Sequence, residues 1–422
     1  HIWWARRPLA SSRATSYAAL IPAPKDTDEW NRKRNFITGF CKWENSASSN
    51  MIKKAREEIL KANGGKPPKV LDPFAGGGSI PLEALRLGCE VYSNDYNPVS
   101  VLIQKCVLEY PQKYGKTIIR KEKNENSFLE EEKEVNPLVE DVKKWGSWVL
   151  EEAKKEIGKF YPPDEDGSIP VGYYWMRTIT CQNPSCGAEI PLTVNWWLAR
   201  KSNKKVALYP YTEGKKVMFK IVGTGYEKMP QGFNPGEGTV SRAIALCPVC
   251  GSSVEAKTTR SLFQEGKSGQ RIVAVVLHKP GASGKKYRLT SEKDMLIFKE
   301  SEDYLDKKRE DLMTEWGIDP VPDEKLPPIG TLGFRIQRYN MNTWGDLFNS
   351  RQKLTLITFI DKVRQAYKRM VEEGYEDEYV KAIVSYLACN LSRLIDQSSV
   401  LVPWIKQLEA VAHTFNRQAL GM

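Results

Sequence analysis

A parallel α/β core, interrupted by a mostly β insertion and followed by a helical region, is the fold class that the 422-residue sequence predicts. Three observations predict it. A glycine-rich turn lies between an apolar strand and a helix, with a second short strand soon after. Short β-like runs separated by Gly, Asn and Lys turns fill residues 171–288. Beyond them, apolar residues recur at helical spacing. Hydrophobic residues make up 41% and charged residues 27%, with no apolar run approaching the roughly 18 residues of a bilayer span, so collagen-like, disordered and transmembrane classes drop out.

Each element follows from local chemistry. Residues 1–20 carry three arginines and two tryptophans among small residues, and Pro22 and Pro24 end that segment. The stretch from Lys25 to Ser49 has no clear period and reads as a polar connection with embedded aromatics. A helix is expected from Met51 to Ala62, stopped by Asn63-Gly64-Gly65. Lys69-Val70-Leu71 reads as a strand, the residues from Asp72 to Gly78 as a turn, and Ser79 to Leu87 as a helix closed by Gly88. Glu90-Val91-Tyr92-Ser93 is the next strand, and Pro98 opens a helix through about Leu108. The charged run Lys121 to Glu134 reads as a solvated link. Asn136 and Pro137 then begin a helix to Ile157, with Leu138, Val142, Trp145 and Val149 on its apolar side. After the β-rich stretch come a charged helix from about Ser291 to Trp316, a Pro-rich linker, and two helices marked by Leu354, Ile357, Ile360 and Val363, and by Val380, Ile383, Leu387 and Leu391. The resulting division is residues 1–160, 161–290 and 291–422.

The formal net charge of +11 favours a polyanionic partner. Eight cysteines are too few for a disulfide scaffold, and Cys41, Cys89, Cys106 and Cys389 stand alone in sequence, which fits a reducing cytoplasm. No export signal is visible at the His1 end.

The turn carries the most chemical information. Dinucleotide folds also pair a glycine turn with a distant ribose-binding acid, but here the three glycines are consecutive and the G-x-G-x-x-G spacing is absent. Asp72, at the mouth of the first strand, would repel a pyrophosphate and suits a cofactor whose nearest group is an α-ammonium. S-adenosylmethionine has that ammonium and no phosphate. Asp95, 23 residues on, would accept from ribose hydroxyls, and Tyr96 would cover the adenine. The expected cofactor-binding set is Asp72, Pro73, Phe74, Ala75, Gly76, Gly78, Ser79, Asp95, Tyr96 and Asn97.

Asp-Pro-Phe-Ala-Gly-Gly-Gly-Ser at 72–79, followed by Asn-Asp-Tyr-Asn-Pro at 94–98, resembles the cofactor half of DNA amino-methyltransferases. More closely, the chain resembles large predicted adenine-specific DNA methylases with an internal zinc ribbon, through the segments His1–Ala10, Cys181–Pro191, Thr343–Phe348 and Phe415–Leu420. The resemblance implies a Rossmann-like methyltransferase core acting on adenine N6 of double-stranded DNA with the base flipped out. It also implies that His1 to Pro8 complete the cofactor pocket, with Trp4 and Arg7 as the candidates, and a setting in restriction or phage defence with partner proteins. A nucleic-acid-binding subunit without chemistry and an RNA methyltransferase are the alternatives.

Such enzymes carry a second signature, Asp/Asn/Ser-Pro-Pro-aromatic, whose acceptors hold the target amine while the ring stacks on the base. Lys66-Pro67-Pro68-Lys69, Tyr161-Pro162-Pro163-Asp164 and Leu326-Pro327-Pro328-Ile329 do not fit it. In the resembling family the signature follows the Asn-Arg-Gln-Ala-Leu block, here at 416–420, so residues 1–422 are expected to stop short of the catalytic loop, and no catalytic residue is assigned.

Cys181-x4-Cys186-Gly187 and Cys247-Pro248-Val249-Cys250-Gly251 form two knuckles with the spacing of a structural zinc site closed to water. Between them, Trp196, Trp197, Arg200, Lys201, Lys204 and Lys205 mix rings and cations as a nucleic-acid surface does. Arg335, Arg338 and Arg351, around Trp344-Gly345-Asp346, are further candidates for DNA contact. His278 and His413 read as structural.

Overall fold

The computed structural model describes residues 8–123 and 130–414, so Trp4, Arg7 and the 415–420 block lie outside the described residues. The chain divides into two compact units, His1–Ser147 with Ala366–Leu387, and Trp148–Gln365 with Ala388–Met422.

The first unit opens with three helices, α1 (Leu9–Leu20), α2 (Thr27–Phe40) and α3 (Ser49–Ala62). Strand β1 (Lys69–Asp72), helix α4 (Ser79–Arg86) and strand β2 (Glu90–Ser93) follow, and helix α5 (Pro98–Gln104) comes next. β1 and β2 pair in parallel, from Lys69↔Glu90 to Asp72↔Ser93, with α4 as the crossover that parallel strands require. Together these elements form a mixed α/β fold. A core of Tyr17, Phe40, Ala55, Ile59, Ala84, Leu87 and Cys89 closes the helices onto one another.

α2 corrects the reading of 25–49 as a connection. Asp26 caps it by accepting from the Glu29 N–H at 2.7 Å. Phe36 and Phe40, one turn apart, stack on each other at 5.3 Å, and Phe40 meets Tyr17 edge-on at 6.1 Å. Phe36, Ile37 and Phe40 form its narrow inward side, and the polar remainder hides the period.

At the centre of this unit Arg13 and Glu83 form an ion pair at 2.7 Å, both almost wholly excluded from solvent. Arg13 also donates to the Phe40 carbonyl at 2.9 Å, and Arg86 adds a second cation to Glu83 at 2.8 Å. The pair thus ties α1 and the end of α2 to the helix that follows the glycine turn.

The helix expected from Pro98 to Leu108 is shorter. It passes at Lys105–Glu109 into a π turn and then into the helix Tyr110–Tyr114. Pro111 has no N–H and its ring would clash with the carbonyl four residues back, which widens the preceding turn. Tyr386 donates to the Cys106 carbonyl within that turn at 2.6 Å.

The charged run read as a link is also different: Ile118–Lys123 and Glu130–Val135 pair as antiparallel strands. Ile118 pairs with Val135 at the base of this hairpin, and β-branched residues favour strand there although the charge pattern masks them.

In the second unit a four-stranded antiparallel sheet runs in the order 286–289, 268–278, 169–180, 189–192. Beside it stand a three-stranded sheet (197–200, 205–213, 216–223) and a small one (240–241, 244–246, 253–254). Met176, Trp196, Leu198, Leu208, Phe219, Val273 and Val276 share one core of this β-rich region. The helix Glu292–Trp316 begins at a capping box of Ser291 and Asp294 and stops at the left-handed Gly317 (φ 71°). No helix among the described residues is long and apolar enough to cross a membrane.

Replacing Arg13 with Met takes the buried cation from the Glu83 carboxylate and leaves the more exposed Arg86 as its remaining ion-pair partner. Urea denaturation should show destabilisation by about 3–5 kcal/mol, with the double variant R13M/E83L recovering much of that loss. Equal instability of single and double variants would show that packing, and not the uncompensated charge, sets the cost.

Candidate functional site

Because β1 and β2 are parallel, Asp72 and Asp95 both emerge at the carboxyl ends of the strands, where ligands of open α/β sheets bind. The turn between β1 and α4 is stitched to the end of β2. Asn94 donates to the Asp72 carbonyl at 3.0 Å, and Ala75 donates back to the Asn94 carbonyl at 2.9 Å. The Asp95 carboxylate then binds two backbone N–H groups, from Gly76 and from Asn97, each at 2.8 Å. The Asn97 and Gly76 N–H groups hold its carboxyl below the usual carboxylate range. Asn97 in turn caps α5 by accepting from Val99 at 2.9 Å.

Asp72 accepts from the Phe74 N–H at 3.2 Å. Gly76 (φ 55°) and Gly78 (φ 81°) take the left-handed conformation, and Gly78 ends the turn at the first position before α4. Gly77 needs neither: it has no positive φ, and a Cβ there would meet nothing within 4 Å. Phe74 and Tyr96 flank the turn, with Tyr96 97% exposed. Ser79 opens α4, whose first turn offers N–H groups with no capping side chain.

Two groups that hold this turn escaped the sequence reading. The Gln104 amide donates to the Gly76 carbonyl at 2.9 Å, and its oxygen accepts from the Ser93 hydroxyl at 2.7 Å. A polar residue ending the apolar run Pro98–Ile103 was the available signal.

The four cysteines meet. Their sulfurs all lie within 4.8 Å of one another, with Cys181–Cys250 at 3.6 Å and Cys186–Cys247 at 3.8 Å. Four thiolates at the usual Zn–S distance stand about 3.8 Å apart along a tetrahedron edge, so the cluster fits a zinc ion. Both knuckles are built alike. The Cys181 N–H donates to Ala188 and the Cys247 N–H to Ser252, at 2.8 and 2.9 Å, around the left-handed Gly187 and Gly251. Asn183 of the first knuckle donates to Ser252 of the second at 3.3 Å. Burial pushes the Cys181 thiol up to about 12, whereas the Ser252 hydroxyl and N–H draw Cys250 down to about 6.

The expected ring-and-cation surface is kept in part: Arg200 and Lys205 are exposed, and Arg200 lies over the Trp197 ring at 5.8 Å, whereas the other three residues are engaged internally. Trp196 lies in the β core against Phe219 at 5.9 Å. Lys201 and Lys204 each reach the buried Glu409 at 2.6 Å, so their charge is spent internally. Arg351 is buried over the Tyr173 ring at 3.8 Å and donates to the Phe160 carbonyl. Arg335 and Arg338 are exposed. Asp346 accepts from the Asn342 and Thr343 N–H groups and shapes its own turn. Tyr161 bonds Thr355 at 2.7 Å and Asp164 pairs with Arg288 at 2.7 Å, so that Pro-Pro segment is structural. His413 contacts Asp396 at 2.6 Å, and His278 the Gly284 carbonyl at 3.2 Å.

Residues 51–205 match the model of the D12 class N6 adenine-specific DNA methyltransferases. The activity is S-adenosylmethionine-dependent methylation of adenine in DNA. The methyltransferase segment takes in α3, β1, α4, β2 and the first cysteine knuckle. Residues 1–40 match a second model, of a family of unknown function designated DUF1156. No curated protein and no solved structure matches the chain.

Since the bound N–H groups lower the Asp95 pKa, its hold on the turn is present above the ordinary carboxylate range and is lost as pH falls through the lowered value. Protection factors of the Gly76 and Asn97 amides should therefore stay level from about pH 7 to about pH 5 and drop below about pH 4. Asp95→Asn should be less protected at every pH. Protection that ignores both changes would remove Asp95 as the anchor.

Proposed function

We propose that the glycine turn is the S-adenosylmethionine site of a Rossmann-like methyltransferase core. In this reading Asp72 faces the α-ammonium, Asp95 holds the ribose hydroxyls, and Tyr96 covers the adenine. Pro73, Phe74, Ala75, Gly76, Gly78, Ser79 and Asn97 shape the cradle, and Trp4 and Arg7 complete it. The observation that carries the reading is the Asp95 carboxylate at the end of β2, held by the Gly76 and Asn97 N–H groups against the turn that Asp72 opens.

Bound S-adenosylmethionine supplies an electrophilic sulfonium methyl group. The residues of this chain bind and orient that methyl donor. The adenine amine, whose lone pair is delocalised into the ring, needs acceptors for its hydrogens and an aromatic surface for the flipped base. No Asp/Asn/Ser-Pro-Pro-aromatic sequence in residues 1–422 offers both.

Cys181, Cys186, Cys247 and Cys250 would hold a structural zinc ion with no position left for water. The ion stabilises a zinc-ribbon insertion over residues 161–290, which reads as the target-recognition part, between a cofactor half at 1–160 and a helical region at 291–422. Exposed Arg335 and Arg338 remain its candidates for DNA phosphate contact. The enzyme acts in the cytoplasm, within a restriction or phage-defence system.

Isothermal calorimetry on this chain should show binding of S-adenosylmethionine and none of NAD, and Asp95→Ala should weaken it at least tenfold. NAD binding in its place would overturn the assignment. In parallel assays the natural polypeptide should methylate duplex DNA, yielding N6-methyladenine, and leave structured RNA unmodified.

Elemental analysis should find one zinc per chain. Cys247→Ser should lose the metal and expose the 161–290 region to protease, while cofactor affinity changes less than twofold. A metal-free protein with an intact protease pattern would rule out the ribbon.

A further inference from the structure

We infer that Gln104 is a positioning residue for the cofactor turn, an inference that rests on the S-adenosylmethionine site proposed above. Gln104 is the last residue of α5, 5% exposed, and immediately precedes the π turn. Its side chain spans two separate pieces of the site. The amide N–H binds the Gly76 carbonyl and the amide oxygen takes the Ser93 hydroxyl, at the end of β2. The chemistry fixes the amide's orientation, because a carbonyl only accepts and the carboxamide nitrogen is its one donor.

The Gly76 residue is therefore held from both sides: Asp95 takes its N–H and Gln104 its carbonyl. With φ at 55°, Gly76 belongs to a conformation that an unconstrained glycine would leave freely. The two bonds keep it there before any ligand arrives. They also set the direction of Gly77, the open position next in the chain. Gln104 packs close as well: a Cβ on Gly78 would stand 3.5 Å from its Cγ and 3.4 Å from the Leu108 side chain. The π turn carries Leu108, so the widened helix delivers both the amide and the apolar contact to the turn. Gln104 touches no reacting atom in this arrangement. Its part is to spare the cofactor the ordering cost of the turn.

Two variants of nearly equal volume test this. Gln104→Glu keeps the acceptor for Ser93 and loses the N–H donated to Gly76; Gln104→Leu loses both. Each should bind S-adenosylmethionine and S-adenosylhomocysteine about tenfold more weakly, measured by calorimetry well below the melting temperature. Hydrogen exchange without cofactor should show about tenfold lower protection at the Gly76 and Gly78 amides, with α3 and α4 unchanged. Wild-type affinity and protection in the Glu variant would overturn the inference. Loss of protection spread over the whole unit would do so too, since it would mark general unfolding. Should the unaltered protein bind no cofactor while its turn is still loosened by both substitutions, the cofactor reading fails and the structural hold of Gln104 stands.

Discussion

The buried pair of Arg13 and Glu83 is the constraint on which the first unit depends. A guanidinium and a carboxylate that have both left water must find each other, or the chain carries an uncompensated charge in its core. Here the guanidinium also takes the carbonyl at the end of α2, so one side chain closes three helices. The helix that bears Glu83 is the one that starts at the glycine turn. The placement of that turn against β2 is thereby linked to residues in the first forty, which match a different family model from the methyltransferase segment. The N-terminal segment is part of the same packing unit, and its removal would strip the carboxylate of its main partner.

The glycine-turn end of the fold was readable because its chemistry is local. A strand, three glycines and an acid at the close of the next strand occupy about two dozen consecutive residues, and the structure places each on the element expected. The four cysteines were readable for another reason: knuckle spacing and a following glycine announce a turn that points two sulfurs the same way. What escaped was information carried by partners far apart in sequence. The inward face of α2 is Phe36, Ile37 and Phe40, meaningful once Tyr17 is known to lie opposite. The paired strands 118–123 and 130–135 looked like a tether because charge outweighed their β-branched ends. Lys201 and Lys204 looked like a nucleic-acid surface because nothing in their neighbourhood announces Glu409, some 200 residues away.

The two sites solve the same geometric problem in similar ways. Each needs a sharp reversal of backbone with N–H groups turned inward, and each uses glycine in the left-handed region to obtain it. In the glycine turn the inward N–H groups meet a side-chain carboxylate. In the knuckles they meet carbonyls across the hairpin, which leaves the sulfurs free to converge. Asn183, reaching from one knuckle to Ser252 of the other, gives the cluster a contact that does not depend on sulfur.

Of the four sulfurs, three are buried and only that of Cys250 belongs to an exposed residue. Peroxide, alkylating reagents and competing soft metals must therefore enter through one corner. Damage would begin at the second knuckle and unravel the short strands around it, sparing the deeper Cys181 and Cys186 until late. The cluster thus has a built-in order of failure, set by which turn of the chain faces the solvent.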